Sequence, residues 1–266
     1  MSINTSMLWA DIVQIREKAP LIHNITNFVV MNNTANALLA LGGSPIMAHA
    51  VEEVADMVKI CNALVVNIGT LSSHWITAME KAIDAAAQAN IPIVLDPVGA
   101  GATSYRTNTV HSLMSIAAPS IIRGNASEIK ACVTEEAKTK GVDSLDSSES
   151  AIEAARQLHA TYGCTVVISG ETDFIVSGGE PIQIKNGHVM MTKVTGLGCT
   201  ATALCGAFAA VNSQLEMAAA HAMAVMGIAG EMATEQANGP GTLQLHFLDA
   251  LYNLSAEAIE KRLSAA

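Results

Sequence analysis

Short apolar runs alternate with longer stretches of helical sequence through the middle of the chain. Ala63-Leu64-Val65-Val66-Asn67 is followed by helical sequence from Ser72 to Asn90, and then by Pro92-Ile93-Val94-Leu95-Asp96. A helical stretch near Thr107 to Ala118 leads to Ser120-Ile121-Ile122-Arg123, and Asn125 opens another helix. Ser147 to Tyr162 reads as a helix and Cys164 to Ser169 as a strand. Continuously apolar strands separated by helices imply a parallel sheet covered on both faces.

The pattern changes after Ser169. Asp173 to Ser177, Pro181 to Lys185 and His188 to Lys193 read as short strands, separated by Gly178-Gly179 and Asn186-Gly187. The Asn-Gly pair is the stronger hairpin signal. Three helical segments then start near Cys199, Leu215 and Leu243. The prediction is one α/β domain over residues 1–266: a mainly parallel sheet with an antiparallel edge, helices on both faces and a helical C-terminal layer. The charged stretch Glu135 to Asp146 reads as a surface loop.

Composition narrows the picture. Half of the 266 residues are apolar, yet only 3% are aromatic, so the core is built from Ala, Val, Ile, Leu and Met. A net charge of -10 argues against a nucleic-acid surface, which needs a basic patch. The most apolar stretch, Met217 to Gly230, suits a buried helix better than a membrane span. The first twenty residues lack a signal peptide's basic start and apolar middle, so a cytoplasmic protein is expected. Five widely spaced cysteines without a CxxC pair argue against a disulfide framework or zinc site.

In an open α/β sheet, ligands bind beyond the carboxyl ends of the strands. Five polar or glycine-rich turns fall there: Asn67 to Thr70, Asp96 to Thr103, Arg123 to Glu128, Ser169 to Glu171, and Thr195 to Cys199. Gly196 and Gly198 let a ligand approach the backbone, and the helix opening near Cys199 aims free N–H groups at it. That is an anion hole, or else a helix cap with two glycines. Cys199 is a buried small residue, or a thiol lowered by the helix N-terminus and ready as base or nucleophile. Asp96 and Glu128 converge on magnesium in one reading. In the other, Asp96 forms a turn and Asn125 to Glu128 is a capping box. Arg123 makes a surface ion pair or holds nucleotide phosphates. Ser169 is a turn residue or a ligand hydroxyl. The amides from Asn24 to Asn36 cap helices or wall a polar pocket, with Met47 as an adaptable apolar contact.

The ordered set PLIHNITNFVVMNNTANALLALGGSPIMAHA, LVVNIGTL, IVLDPVGAGAT, IIRGNASEI and KVTGLGCTATA resembles the hydroxyethylthiazole kinases. The match runs from about Pro20 to Gln244. The resemblance implies a ribokinase-like three-layer fold. It also implies transfer of the ATP γ-phosphate, with Mg²⁺, to the primary alcohol of a thiazole in thiamine synthesis and salvage. It places Met47, Gly196 and Asn27 at the thiazole, Arg123 and Ser169 at ATP, and Asp96 and Glu128 at the metal. Gly198 and Cys199 fall in the catalytic turn. Related sugar kinases carry Asp at the Cys199 position, which leaves the base open. The family typically forms homotrimers with active sites between subunits. Two rival readings share this fold: an ATP-dependent dehydratase that repairs hydrated nicotinamide cofactors, and a non-catalytic thiazole or nucleotide sensor.

Overall fold

A computed structural model describes residues 3–133 and 147–266. The loop expected at Glu135 to Asp146 lies outside the described residues. The sheet has eight strands: β1 Leu21–Ile25, β2 Ser44–Ile46, β3 Ala63–Asn67, β4 Ile93–Asp96, β5 Ile121–Asn125, β6 Thr165–Ser169, β7 Asp173–Val176 and β8 Ile182–Ile184. Their spatial order is β2-β1-β3-β4-β5-β6-β7-β8. Neighbours are parallel from β2 to β6, while β6–β7 and β7–β8 are antiparallel.

Side chains alternate across this sheet with period two. On β3, Ala63 and Val65 enter one apolar cluster, while Leu64 and Val66 enter the other. On β4, Val94 takes the first face, with Ile93 and Leu95 on the second. The first face is covered by α1 (Thr5–Lys18), α2 (Met31–Leu41) and the C-terminal helices α8 (Leu197–Ala209), α9 (Leu215–Gln236), α10 (Pro240–Tyr252) and α11 (Ala256–Arg262). The second is covered by α3 (Val54–Ile60), α4 (Ser73–Gln88), α5 (Ser104–Ile116), α6 (Ala126–Ala131) and α7 (Ser147–Tyr162). Each fully buried Leu, Ile or Val contributes roughly 1.5–3 kcal/mol.

Small residues set how closely the layers approach. Gly206 lies where α8 crosses β3, and a Cβ there would stand 2.7 Å from Val65 Cγ2. The run Met217 to Gly230 forms the interior of α9 and is buried throughout, as its composition requires. Among the described residues, no helix is long and apolar enough to cross a membrane.

Three expectations need correction. His188 to Lys193 does not form a strand; Val189–Lys193 is a 3₁₀ turn. The Asn186-Gly187 pair therefore does not close a hairpin. The chain's last residues pair with the β8 edge instead, through Gln183 N–H to the Ala266 carbonyl (2.8 Å) and the reverse bond (2.9 Å). The three expected C-terminal helices begin at Leu197, Leu215 and Pro240, near the positions read from the sequence, but α11 adds a fourth. The N-terminal segment supplies α1, β1, α2 and β2, so most of its amides serve structure. Asn36 Nδ2 donates to Asn32 Oδ1 (3.1 Å) along α2, and Asn24 Nδ2 to the Ile22 carbonyl (2.9 Å).

Candidate active site

Strand order reverses at β1, which lies between β2 and β3. The turns after β1 and β3 therefore diverge and open a crevice at the carboxyl edge, where such folds bind ligands. Asn27 follows β1, Asn67 ends β3 and Asp96 ends β4. These residues are buried and joined into one chain of hydrogen bonds. Asp96, only 1% exposed, accepts at Oδ2 from Asn67 Nδ2 (2.7 Å) and Thr202 Oγ1 (2.7 Å). Asn67 Oδ1 accepts from Asn27 Nδ2 (2.8 Å) and the Gly69 N–H (2.9 Å). Asn27 Nδ2 also donates to Cys199 Sγ (3.4 Å).

Burial raises the Asp96 carboxyl to about 6, against the pull of the Arg123 charge and the bonds from Thr202 and Asn67. Its Oδ1 is buried with no protein donor. A buried acceptor left without a partner costs stability, so this oxygen is suited to receive a cation.

Helix α8 points its N-terminus at the same region. Gly196 caps it at φ +87°, and a Cβ there would meet Val30 Cγ1 at 2.7 Å, so only glycine fits. The first helical bond runs from Thr200 N–H to the Gly196 carbonyl (2.9 Å). The amides of Leu197, Gly198 and Cys199 precede it and have no intrahelical acceptor. Gly198 lies against Arg123: a Cβ on it would stand 2.9 Å from Arg123 Nη1. Among the described residues Arg123 makes no ion pair, and its Nε is buried without an acceptor, which removes the surface ion pair as its role.

Of the two readings of Cys199, the structure goes against the lowered thiol. Its thiol is raised, first by burial and then by the negative charge of Asp96. Bonds from Asn67 and Asn27 and the Arg123 charge oppose this less strongly. A helix N-terminus lowers a thiol only where desolvation does not outweigh it. The other cysteines are buried packing residues, with thiols pushed up to about 11 at Cys61 and about 12 at Cys164 and Cys205.

Beyond Gly198 opens a cavity of about 920 Å³. Arg123, Ser169 and Gly198 line one part of it, and Leu197, Met191, Met223 and Met226 give it apolar walls. Ser169 Oγ donates to the Gly124 carbonyl (3.3 Å). Asp173 lines the cavity too; burial raises it to about 6, and it accepts the Gly170 N–H (3.0 Å). Glu128 does form the capping box with Asn125: its Oε2 accepts the Asn125 N–H (2.8 Å). Its Oε1 holds the Gly99 N–H (2.8 Å), so it also pins the turn after β4, and its charge acts on Asp96. Met47 sits half-buried in the loop after β2, outside both the cavity lining and the hydrogen-bonded chain.

Among the described residues, no group of three or more His, Cys, Asp or Glu can hold a metal alone. Magnesium needs only one or two carboxylates beside phosphate oxygens, and Asp96 Oδ1 is the one carboxylate oxygen of Asp96 and Glu128 without a protein donor.

The residues that sequence reading missed are Asn67, Thr202 and Asp173. Asn67 carried the same signal as Asp96, a polar residue ending an apolar strand. Thr202 carried none, being an ordinary helical threonine one turn beyond Gly198.

A model of the hydroxyethylthiazole kinase family matches residues 12–257. The chain belongs to that family. The hydroxyethylthiazole kinase of Syntrophus aciditrophicus is 62% identical over 264 residues, covering 99% of this chain and 98% of that one. The solved hydroxyethylthiazole kinase structure from Pyrococcus horikoshii has a TM-score of 0.90 at 40% identity, covering 98% of each chain. A ribokinase-like superfamily protein from Enterococcus faecalis has a TM-score of 0.65 at 12% identity over 94% of each chain, a likeness of fold alone. As a member of the hydroxyethylthiazole kinase family, this chain is an ATP-using phosphotransferase with a ribokinase-like fold.

Proposed function

We propose that this chain phosphorylates the primary hydroxyl of 4-methyl-5-(2-hydroxyethyl)thiazole, for thiamine synthesis or salvage, in the crevice between Asn27, Asp96 and the start of α8. One observation carries the placement: the free amides of α8, the unpaired guanidinium of Arg123 and the buried carboxylate of Asp96 converge beside the apolar cavity. ATP lies in the cavity, with Arg123 and Ser169 at its phosphates. The thiazole lies toward Asn27 and Gly196.

Phosphoryl transfer through a loose transition state needs positioning and charge stabilisation more than covalent help. The amides of residues 197–199 and Arg123 supply fixed dipoles and charge where the transferring group becomes more anionic. Asn67 and Thr202 fix the Asp96 carboxylate so that no side chain reorganises during transfer. Asp96 and Glu128, together with nucleotide oxygens, would hold magnesium, which would supply further charge neutralisation. Cys199, with a raised thiol, stays protonated near neutral pH and stands beside the alcohol as a neutral neighbour, so the hydroxyl proton leaves to a phosphoryl oxygen or to solvent as the new P–O bond forms.

The homotrimer belongs to the same proposal. Phe28 and Val29, 65% and 60% exposed beside Asn27, are apolar surface that a neighbouring subunit would cover. Incubation with Mg-ATP and the thiazole alcohol should yield the phosphate monoester and ADP in equal amounts. Tight binding of both ligands without product would sink the catalytic reading. Turnover of a hydrated nicotinamide dinucleotide instead would sink the substrate.

A further inference from the structure

One wall of the cavity is a short segment that owes its position to a helix behind it. Asn186, Gly187, His188, Val189, Met191 and Thr192 all line the cavity. Glu231, on α9, is not among the lining residues, yet its Oε1 accepts from both the Gly187 N–H (2.9 Å) and Asn186 Nδ2 (2.9 Å). The same Asn186 amide donates to the Arg262 carbonyl (2.7 Å) and accepts from the Ser264 N–H (2.8 Å), so it has no spare partner for a ligand.

Two glycines of α9 complete the seat. A Cβ on Gly227 would stand 2.6 Å from Asn186 Cβ, and one on Gly230 would collide with the Met191 sulfur. Gly187 itself has φ +131°, a backbone state that side chains resist, so glycine is required at this point of the turn. Helix α9 thus both lines the cavity, through Met223, Met226 and Gly227, and holds the Asn186-Gly187 turn against itself through Glu231.

We infer that Glu231 is a positioning residue for the nucleotide: by pinning the Asn186-Gly187 turn to α9, it sets the width of the slot that holds the base. The inference rests on the reading of this cavity as the ATP site. Met191, Met223 and Met226 line the cavity beside this turn, and methionines adapt to the frame they are given.

Steady-state kinetics on Glu231→Ala, Glu231→Asp and Glu231→Gln test this. Loss of the acceptor in Glu231→Ala, or its withdrawal by one methylene in Glu231→Asp, should raise KM for ATP about tenfold, the scale of one hydrogen bond to a charged group. The value of kcat at saturating ATP and KM for the thiazole should stay within about twofold. Glu231→Gln keeps an acceptor oxygen at the same reach and should restore most of the ATP affinity. Glu231→Asp reads the effect if Glu231→Ala does not fold. Arg123→Ala separates the two layers of the argument. A raised KM for ATP in Arg123→Ala with no change in the Glu231 variants overturns the positioning role alone. No change in KM for ATP in either overturns the ATP-site reading, and the inference falls with it. A uniform loss of kcat across the Glu231 variants, unrescued by Gln, assigns Glu231 to stability and also overturns the proposal.

Discussion

The two ends of this site are built on opposite principles. At the crevice, Asp96, Asn67, Asn27 and Thr202 are buried and cross-linked by short hydrogen bonds, leaving one acid oxygen without a donor. At the far end of the cavity, methionines and a glycine-seated turn make a slot whose Asn186 amide is already paired. Where charge moves, dipoles must be fixed in advance, and only a dense polar network achieves that inside a protein. Where a flat base is held, as the proposed function has it here, shape and apolar contact suffice, and adaptable side chains serve better than rigid ones.

If the contrast is right, the carboxylate and amides of the crevice will tolerate almost no substitution. Asp96→Asn keeps the size of the side chain but removes the charge. It should lower kcat/KM by about a thousandfold, roughly 4 kcal/mol, with the fold retained by circular dichroism. A loss under tenfold would break the comparison at its strongest point. Asn67→Leu removes three hydrogen bonds at once and leaves Asp96, Asn27 and Gly69 short of partners. Denaturant unfolding should show a loss of about 3 kcal/mol, the cost of stranding buried polar groups.

Asp173 sharpens the contrast from the cavity side. Its carboxyl is raised to about 6 mainly by burial, so the native state binds a proton more tightly than the unfolded chain. That costs stability as pH rises from about 4 to about 6, and the cost persists above. Asp173→Asn removes the charge and should keep an acceptor for the Gly170 N–H. Unfolding at pH 7 should then become harder by about 1–2 kcal/mol, with little difference from the parent at pH 4. Equal stability at both pH values would show that the buried charge is compensated.

The smallest effect is expected at the residue that looks most chemical. Because the thiol is raised and protonated near pH 7, Cys199→Ser should leave kcat within about threefold, and Cys199→Asp should keep or raise it. A folded, thiazole-binding but inactive Cys199→Asp would refute the equivalence with the sugar-kinase base.

Much of this protein was legible before any coordinates. Runs such as Ala63 to Asn67 are apolar on consecutive positions because both faces of the strand are covered, and that specifies a parallel sheet between helices. The glycines of Thr195 to Cys199 marked a close approach because no other residue permits it. The 3₁₀ turn at Val189–Lys193 escaped, since a short apolar segment does not declare its partner. Here Met191 docks against α9 across the site of Gly230, and the edge it was expected to extend is taken by the chain's last residues.

Local chemistry determined which residues stand at the carboxyl ends of the strands, because strand period and glycine punctuation are properties of neighbours in sequence. The tertiary structure alone decided how they act together. Desolvation decided between the two readings of Cys199. Contacts between residues 40 and 172 positions apart joined Asn27 to Asn67 and Cys199. Burial and long-range pairing depend on what the rest of the chain brings alongside, and no local pattern encodes that.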